Sequence, residues 1–188
     1  MITQALTDFY YELGPIRPPS EAYSLLIRAT RNCPWNRCQF CGCYKGCKFE
    51  LRAVEEILND IKAAKAISEA IKELAWRMGY GDKLREVAGM VYQQGAYSDS
   101  VRNVALWLWG GGESAFLQDA NTLIMRTPDL VKVLSFLKET FPSLTRITSY
   151  GRSKTAAKKT TEELKELKDA GLSRLHIGLE SGSDVVLS

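Results

Sequence analysis

The apolar positions of this chain follow two spacings. From Arg52 to about Arg77, Val54, Ile57, Leu58, Ile61 and Ala64 recur every three or four residues with charges between them, which predicts a long helix. Gly79-Tyr80-Gly81 interrupts it, and Asp82 is placed to cap a second helix through Val91. Thr127-Pro128 opens another helix that runs to about Thr140, since proline suits a first turn. Thr160-Thr161-Glu162-Glu163 opens a further one that ends at Gly171. Four short apolar runs read as strands: Tyr23 to Thr30, Asn103 to Trp109, Leu144 to Ser149 and Arg174 to Leu179. Residues 1–22 form a lead-in that Gly14-Pro15 and Pro18-Pro19 prevent from being one helix.

Strands alternating with helices predict parallel βαβ units, hence an α/β fold. Right-handed crossovers then allow an open doubly wound sheet or part of a barrel, and periodicity alone does not separate them. The helical stretch 67–100 adds no strand and reads as an insertion. In either architecture functional groups collect where strands end. The segment after Thr30, the Gly110-Gly111-Gly112-Glu113 turn after Trp109 and the stretch after Leu179 are therefore expected to converge on one face.

At 188 residues the chain is long enough for one domain with a real core, and its composition is that of a globular protein. A net charge of +3 does not indicate nucleic acid. Met1 to Glu12 lacks the apolar core of a secretory signal, and no apolar run reaches the roughly 18 residues of a membrane span. A cytoplasmic protein with no membrane partner is expected.

All five cysteines fall between Cys33 and Cys47. An odd number, able to close only tiny loops, argues against a disulfide framework and for metal or catalytic use. Thiolates are soft ligands that suit zinc and iron–sulfur clusters. Structural zinc sites with four cysteines generally use two separated pairs, whereas these sit in one cluster. Three thiolates on a [4Fe-4S] cubane leave one iron open to a ligand. The spacing also permits a set made of Cys38, Cys41, Cys43 and Cys47.

The segment TRNCPWNRCQFCGCYKG, Thr30 to Gly46, resembles the cluster loop of radical S-adenosylmethionine (SAM) enzymes. It is most similar to a poorly characterised branch related to oxygen-independent coproporphyrinogen oxidase. Four residues separate Cys33 from Cys38 where the superfamily commonly has three, but the wording CPWNRC is similar to that branch. The resemblance covers most of Tyr23 to Ser188. It implies a partial parallel (β/α) barrel, a [4Fe-4S] cluster on Cys33, Cys38 and Cys41, the aromatic Phe40 before the third ligand, and Cys43 and Cys47 as non-ligands. It also implies SAM cleavage to a 5′-deoxyadenosyl radical that abstracts hydrogen from an unspecified substrate, with flavodoxin or ferredoxin as electron donor. The reading from another class is a non-catalytic zinc or iron–sulfur module.

The same resemblance makes Gly111-Gly112-Glu113 the motif that binds the amino group of SAM, with Ser114 where a proline is usual. It also places Glu180, in Gly178-Leu179-Glu180-Ser181-Gly182, near the ribose or methionine of SAM. Read without it, a glycine-rich turn is common, and Asp119 and Asn121 either line a pocket or begin the next helix. His176, the only histidine, reads more readily as a satisfied core residue than as a catalytic acid. Arg28, inside an apolar strand, needs a partner or an anionic cavity unless it lies at the surface. The basic run Gly151 to Lys159 reads as a solvated loop.

Ser183 to Ser188 resembles the opening of a helix cut short, with Ser183 or Asp184 as its cap. A closed barrel of eight strands takes about 250 residues. The expectation is an incomplete barrel whose last strand is an exposed edge, prone to self-association.

Overall fold

The computed structural model of the chain describes residues 6–179, 181–183 and 185. The run Leu25–Arg28 forms strand β1, and a two-residue ladder pairs β2 (Thr30–Arg31) with β3 (Glu50–Leu51) antiparallel. The long predicted helix is α1, Val54–Arg77, whose Ile57, Ile61, Ala64, Ile67 and Ile71 are buried along one stripe. Helix α2 follows at Leu84–Gln93; Lys83, not Asp82, stands at its N-cap.

The next element corrects the sequence expectation. Asn103 to Trp109 is not a strand but the body of helix α3, Asp99–Trp109. Ser98 caps it by accepting a hydrogen bond from the Val101 N–H. Every residue from Asn103 to Leu108 is buried, because α3 packs against α1, α2 and β1. A helix buried on all sides loses its polar stripe, so its sequence cannot be told from that of a buried strand.

The second strand of the sheet comes later, as β4 (Ser114–Gln118). Helix α4 (Thr127–Thr140) leads to β5 (Arg146–Tyr150), and then come α5 (Ser153–Ala156), α6 (Thr161–Asp169) and β6 (Leu172–His176). Thr160 and Glu163 close the capping box of α6. The fourth strand is thus shifted toward its N-terminus relative to the Arg174 to Leu179 expectation. Of the expected terminal helix, Asp184 and residues 186–188 lie outside the described residues.

The four strands run parallel in the order β1-β4-β5-β6, so this is an α/β protein with a sheet wound in one direction. Leu25, Ile27, Ala115, Leu117, Ile147 and Leu172 share one apolar core with side chains of α1, α3, α4 and α6. Truncating a fully buried member such as Ile61 to alanine costs about 2–5 kcal/mol. The free edge of β1 is covered by the Asn103 side chain, which accepts from the Leu26 N–H at 3.0 Å and donates to the Ser24 carbonyl at 3.2 Å. A helical asparagine thus stands in for a neighbouring strand.

The alternate residues face the other way. Phe116 on β4, Tyr150 on β5 and His176 on β6 make edge contacts with one another at centroid distances of 5.1–6.1 Å. The lead-in crosses part of this second face. Gln118 grips it, donating to the carbonyls of Gly14 and Ile16 and accepting from the Gly14 N–H. No helix among the described residues is long and apolar enough to cross a membrane.

Candidate functional site

The cysteines lie in the loop between β2 and β3, which rises from the C-terminal end of β1. The β2–β3 ladder pinches its base. Asn32 and Asn36 take left-handed backbone conformations, φ 65° and 46°, which asparagine tolerates better than other side chains. Their amides tie the loop to itself, Asn32 donating to the Lys48 carbonyl and Asn36 to the Tyr44 carbonyl, each at 2.6 Å. Trp35 packs under the Arg152 guanidinium, 4.5 Å from the ring centroid, so the loop reaches across the sheet to the segment after β5.

The loop separates the cysteines into two classes. Cys33, Cys38 and Cys41 are half-buried, whereas Cys43 and Cys47 are exposed. The Asn36 N–H points at the Cys33 sulfur at 3.4 Å. Phe40 is 72% exposed. No three Cys, His, Asp or Glu side chains among the described residues are gathered into one coordination shell. The donors are chemically right for a soft metal or an iron–sulfur cluster. Bringing the thiols onto one centre requires the loop to close further.

Beneath the loop sits Asp119, wholly buried just past the end of β4. Its Oδ2 accepts from the Arg28 guanidinium at 2.8 Å and from the Asn32 N–H at 3.2 Å, and its Oδ1 accepts from the Tyr44 hydroxyl at 2.7 Å. One carboxylate therefore binds β1, the loop entrance and the loop interior. Burial and the Asp119 charge both push the Tyr44 hydroxyl above its ordinary pKa, so it stays a donor. The charge that Arg28 raised in sequence is answered here, by Asp119 and by Glu12 of the lead-in at 2.8 Å.

Glu12 extends the network. It holds Arg31 through two oxygens, and Arg31 also reaches Glu50 and Glu56. Hydrogen bonds from Arg31 hold the Glu12 carboxyl below its ordinary pKa, against the opposing effect of burial. Arg52, also buried, caps the Arg28 carbonyl and pairs with Asp60 at 2.6 Å. Tyr44, Glu12 and Arg52 carry no local sequence signal; the pointers to the network are the charge inside β1 and the polar Asp119 just beyond the glycine turn.

Gly111, Gly112 and Glu113 are not brought to this site. They precede β4 and so lie at the opposite, N-terminal edge of the sheet. The Gly112 N–H bonds the Trp107 carbonyl and the Gly111 N–H bonds the Leu108 carbonyl, the two hydrogen bonds of a helix C-terminal cap. Gly111 and Gly112 have φ 106° and 72°, so the glycines are there to end α3. Glu113 is exposed. The expected convergence of this turn with the cysteine loop fails because the segment before it is a helix.

At the loop's own edge, Asn121 is engaged with the β5 exit, accepting from the Arg152 N–H and donating to Thr155. The basic run after Gly151 is partly committed: Arg152 stacks on Trp35, and Lys159 donates to the Met125 carbonyl and Thr127. Glu180 lies outside the described residues. Comparison with protein-family models, curated proteins and solved structures finds no match to this chain, so its function is argued from the site itself.

Proposed function

We propose that this chain is a radical SAM protein in which Cys33, Cys38 and Cys41 hold a [4Fe-4S] cluster and the sheet is an arc of a (β/α) barrel. One observation carries the reading. Three half-buried thiols share a single loop that leaves the first strand of a one-directional parallel sheet and overhangs its C-terminal edge. When bound, the cluster would supply the electron for reductive cleavage of SAM.

The chain's own residues hold and shield that loop. Tyr44 and Asn32 anchor it to Asp119, and Trp35 with Arg152 spans the sheet edge. The role expected of Gly111, Gly112 and Glu113 is withdrawn. The backbone leaving β4 at Asp119 to Asn121 is the segment on the cysteine side, and the amino-acid part of SAM is assigned to it. Glu180 keeps its proposed place at the ribose or methionine. The electron donor is a flavodoxin or ferredoxin type, and the substrate is unassigned.

Anaerobic reconstitution with ferrous iron and sulfide tests the reading. It should give a brown, oxygen-sensitive protein with thiolate-to-iron absorption, and its reduction with SAM should yield 5′-deoxyadenosine. Cys33→Ala, Cys38→Ala and Cys41→Ala should each lose the chromophore; Cys43→Ala and Cys47→Ala should keep it. Zinc bound without iron favours a non-catalytic metal module. Loss with Cys43→Ala and retention with Cys33→Ala would refute the ligand set.

A further inference from the structure

The sheet face opposite the core carries a second polar constellation. Glu21, from the lead-in, has a side chain with 0% exposure. Its Oε2 accepts from the Ser24 hydroxyl at 2.6 Å and pairs with Arg146 at 3.1 Å, while its Oε1 meets His176 Nε2 at 3.3 Å. Burial pushes the Glu21 carboxyl up, but the bonds from Ser24 and the Arg146 charge outweigh it and hold the carboxyl below its ordinary pKa. Glu21 is therefore an ionised carboxylate aimed at an imidazole.

The rest of the imidazole is partly exposed. The His176 side chain is 21% exposed, and its Nδ1 has no hydrogen-bond partner among the described residues. It stands at the C-terminal end of β6 beside Tyr150, its register partner on β5. Burial raises the Tyr150 hydroxyl above its ordinary pKa, and the charges of Cys43 and Glu21 add to this. Arg174 pairs with Thr148 in register and lies two residues before His176, hence on the same face. It is exposed and makes no ion pair among the described residues. The groups facing the imidazole are thus Glu21, Arg146, Tyr150 and Arg174. The lead-in crosses the face at β4 through Gln118 and reaches β5 and β6 through Glu21, leaving the imidazole edge and Arg174 as the exposed polar groups at the end of β6.

We propose that His176 is the proton-transferring residue of a small-molecule site at the C-terminal end of β6, positioned by Glu21, with Arg174 binding an anionic group of the ligand. Nε2–H stays donated to Glu21, and Nδ1 takes a proton from the ligand. The imidazolium so formed is held by the Glu21 carboxylate, and the reverse transfer restores the neutral ring. The ligand class is a small organic anion, a carboxylate or a phosphate ester, with an acidic proton near its charged group. A carboxylate that fixes one imidazole tautomer and leaves the other nitrogen free is a recurring acid–base arrangement. The inference needs no metal at the cysteine loop.

Because His176 is the only histidine, its ring nitrogens can be read without assignment by nitrogen-15 NMR of the full, metal-free chain. In mildly alkaline buffer the spectrum should show a single tautomer, protonated at Nε2 and bare at Nδ1. Glu21→Gln should convert it to a tautomer mixture. Titration with succinate or inorganic phosphate should shift Nδ1 saturably, and Arg174→Gln should weaken that binding about tenfold, the worth of one charge-assisted hydrogen bond. A response to succinate assigns a carboxylate, and a response to phosphate alone assigns a phosphate ester. A protonated Nδ1 in the unmodified chain, the absence of a saturable shift with both anions, or equal binding by Arg174→Gln would each overturn the proposal. The first readout uses unmodified protein, so it stands even if Glu21→Gln fails to fold.

Discussion

The two ends of strand β4 suggest one assignment of roles in sequence and take the reverse in the structure. Its entrance, Gly110 to Glu113, has the composition of a ligand cradle, glycines followed by a carboxylate. Its exit, Gln118 to Asn121, has no glycine and reads as an ordinary polar turn. Yet the entrance is an exposed helix cap bonded to its own chain: the Gly112 carbonyl accepts from Ser143 and the Glu113 carbonyl from the Thr145 N–H. The exit holds a buried carboxylate that gathers β1, the cysteine loop and Tyr44. In a parallel sheet the chemistry belongs to the C-terminal edge, because there the loops from neighbouring strands meet. Residue type alone does not reveal which edge a turn occupies.

Mutations at the two ends should therefore differ in kind. Asp119→Ala removes one of the two carboxylates paired with the half-buried Arg28 guanidinium and leaves the buried Tyr44 hydroxyl without its acceptor, and should cost about 2–4 kcal/mol in urea unfolding, with loss of any cluster formed on reconstitution. A loss under 1 kcal/mol would mean the exit is not the anchor described. Gly111→Ala forces a side chain into a left-handed backbone and should cost about 1–2 kcal/mol, with iron content unchanged.

Glu12 offers a pH test of the network that the exit supports. Its folded pKa is depressed below the ordinary 4.5. Its contribution is therefore fully present above about pH 4.5 and is lost as pH falls through the lower folded value. Urea midpoints across that window should drop less steeply in Glu12→Gln than in the parent. The smallest effect belongs to the entrance: Glu113→Ala, an exposed site without a built role, should shift stability by no more than about 0.5 kcal/mol. Its affinity for SAM, followed by calorimetry on reconstituted protein, should match the parent. A tenfold weakening there would restore Glu113 to the site and reverse the comparison.

Where the local pattern is unambiguous, sequence and structure agree. The period of Val54, Ile57, Ile61 and Ala64 makes α1, and the capping box at Thr160 and Glu163 starts α6. The clustering of five cysteines in one loop after β1 needed no coordinates, because ligand chemistry depends on residue type and short spacing. The alternating pattern also predicts four parallel strands, the number in the sheet, although it puts one of them at Asn103 to Trp109 in place of Ser114–Gln118. Asn103 to Trp109 is apolar because other elements enclose it, and enclosure is a long-range property that a run of side chains does not encode. Moving that one segment from strand to helix carried the glycine turn to the far edge and brought Asp119 to the near one. The pairings of Asp119 with Arg28 and Tyr44, and of Glu21 with His176, span 91, 75 and 155 residues. Contacts at such separations arise only when the sheet closes, so the folded chain alone could decide them.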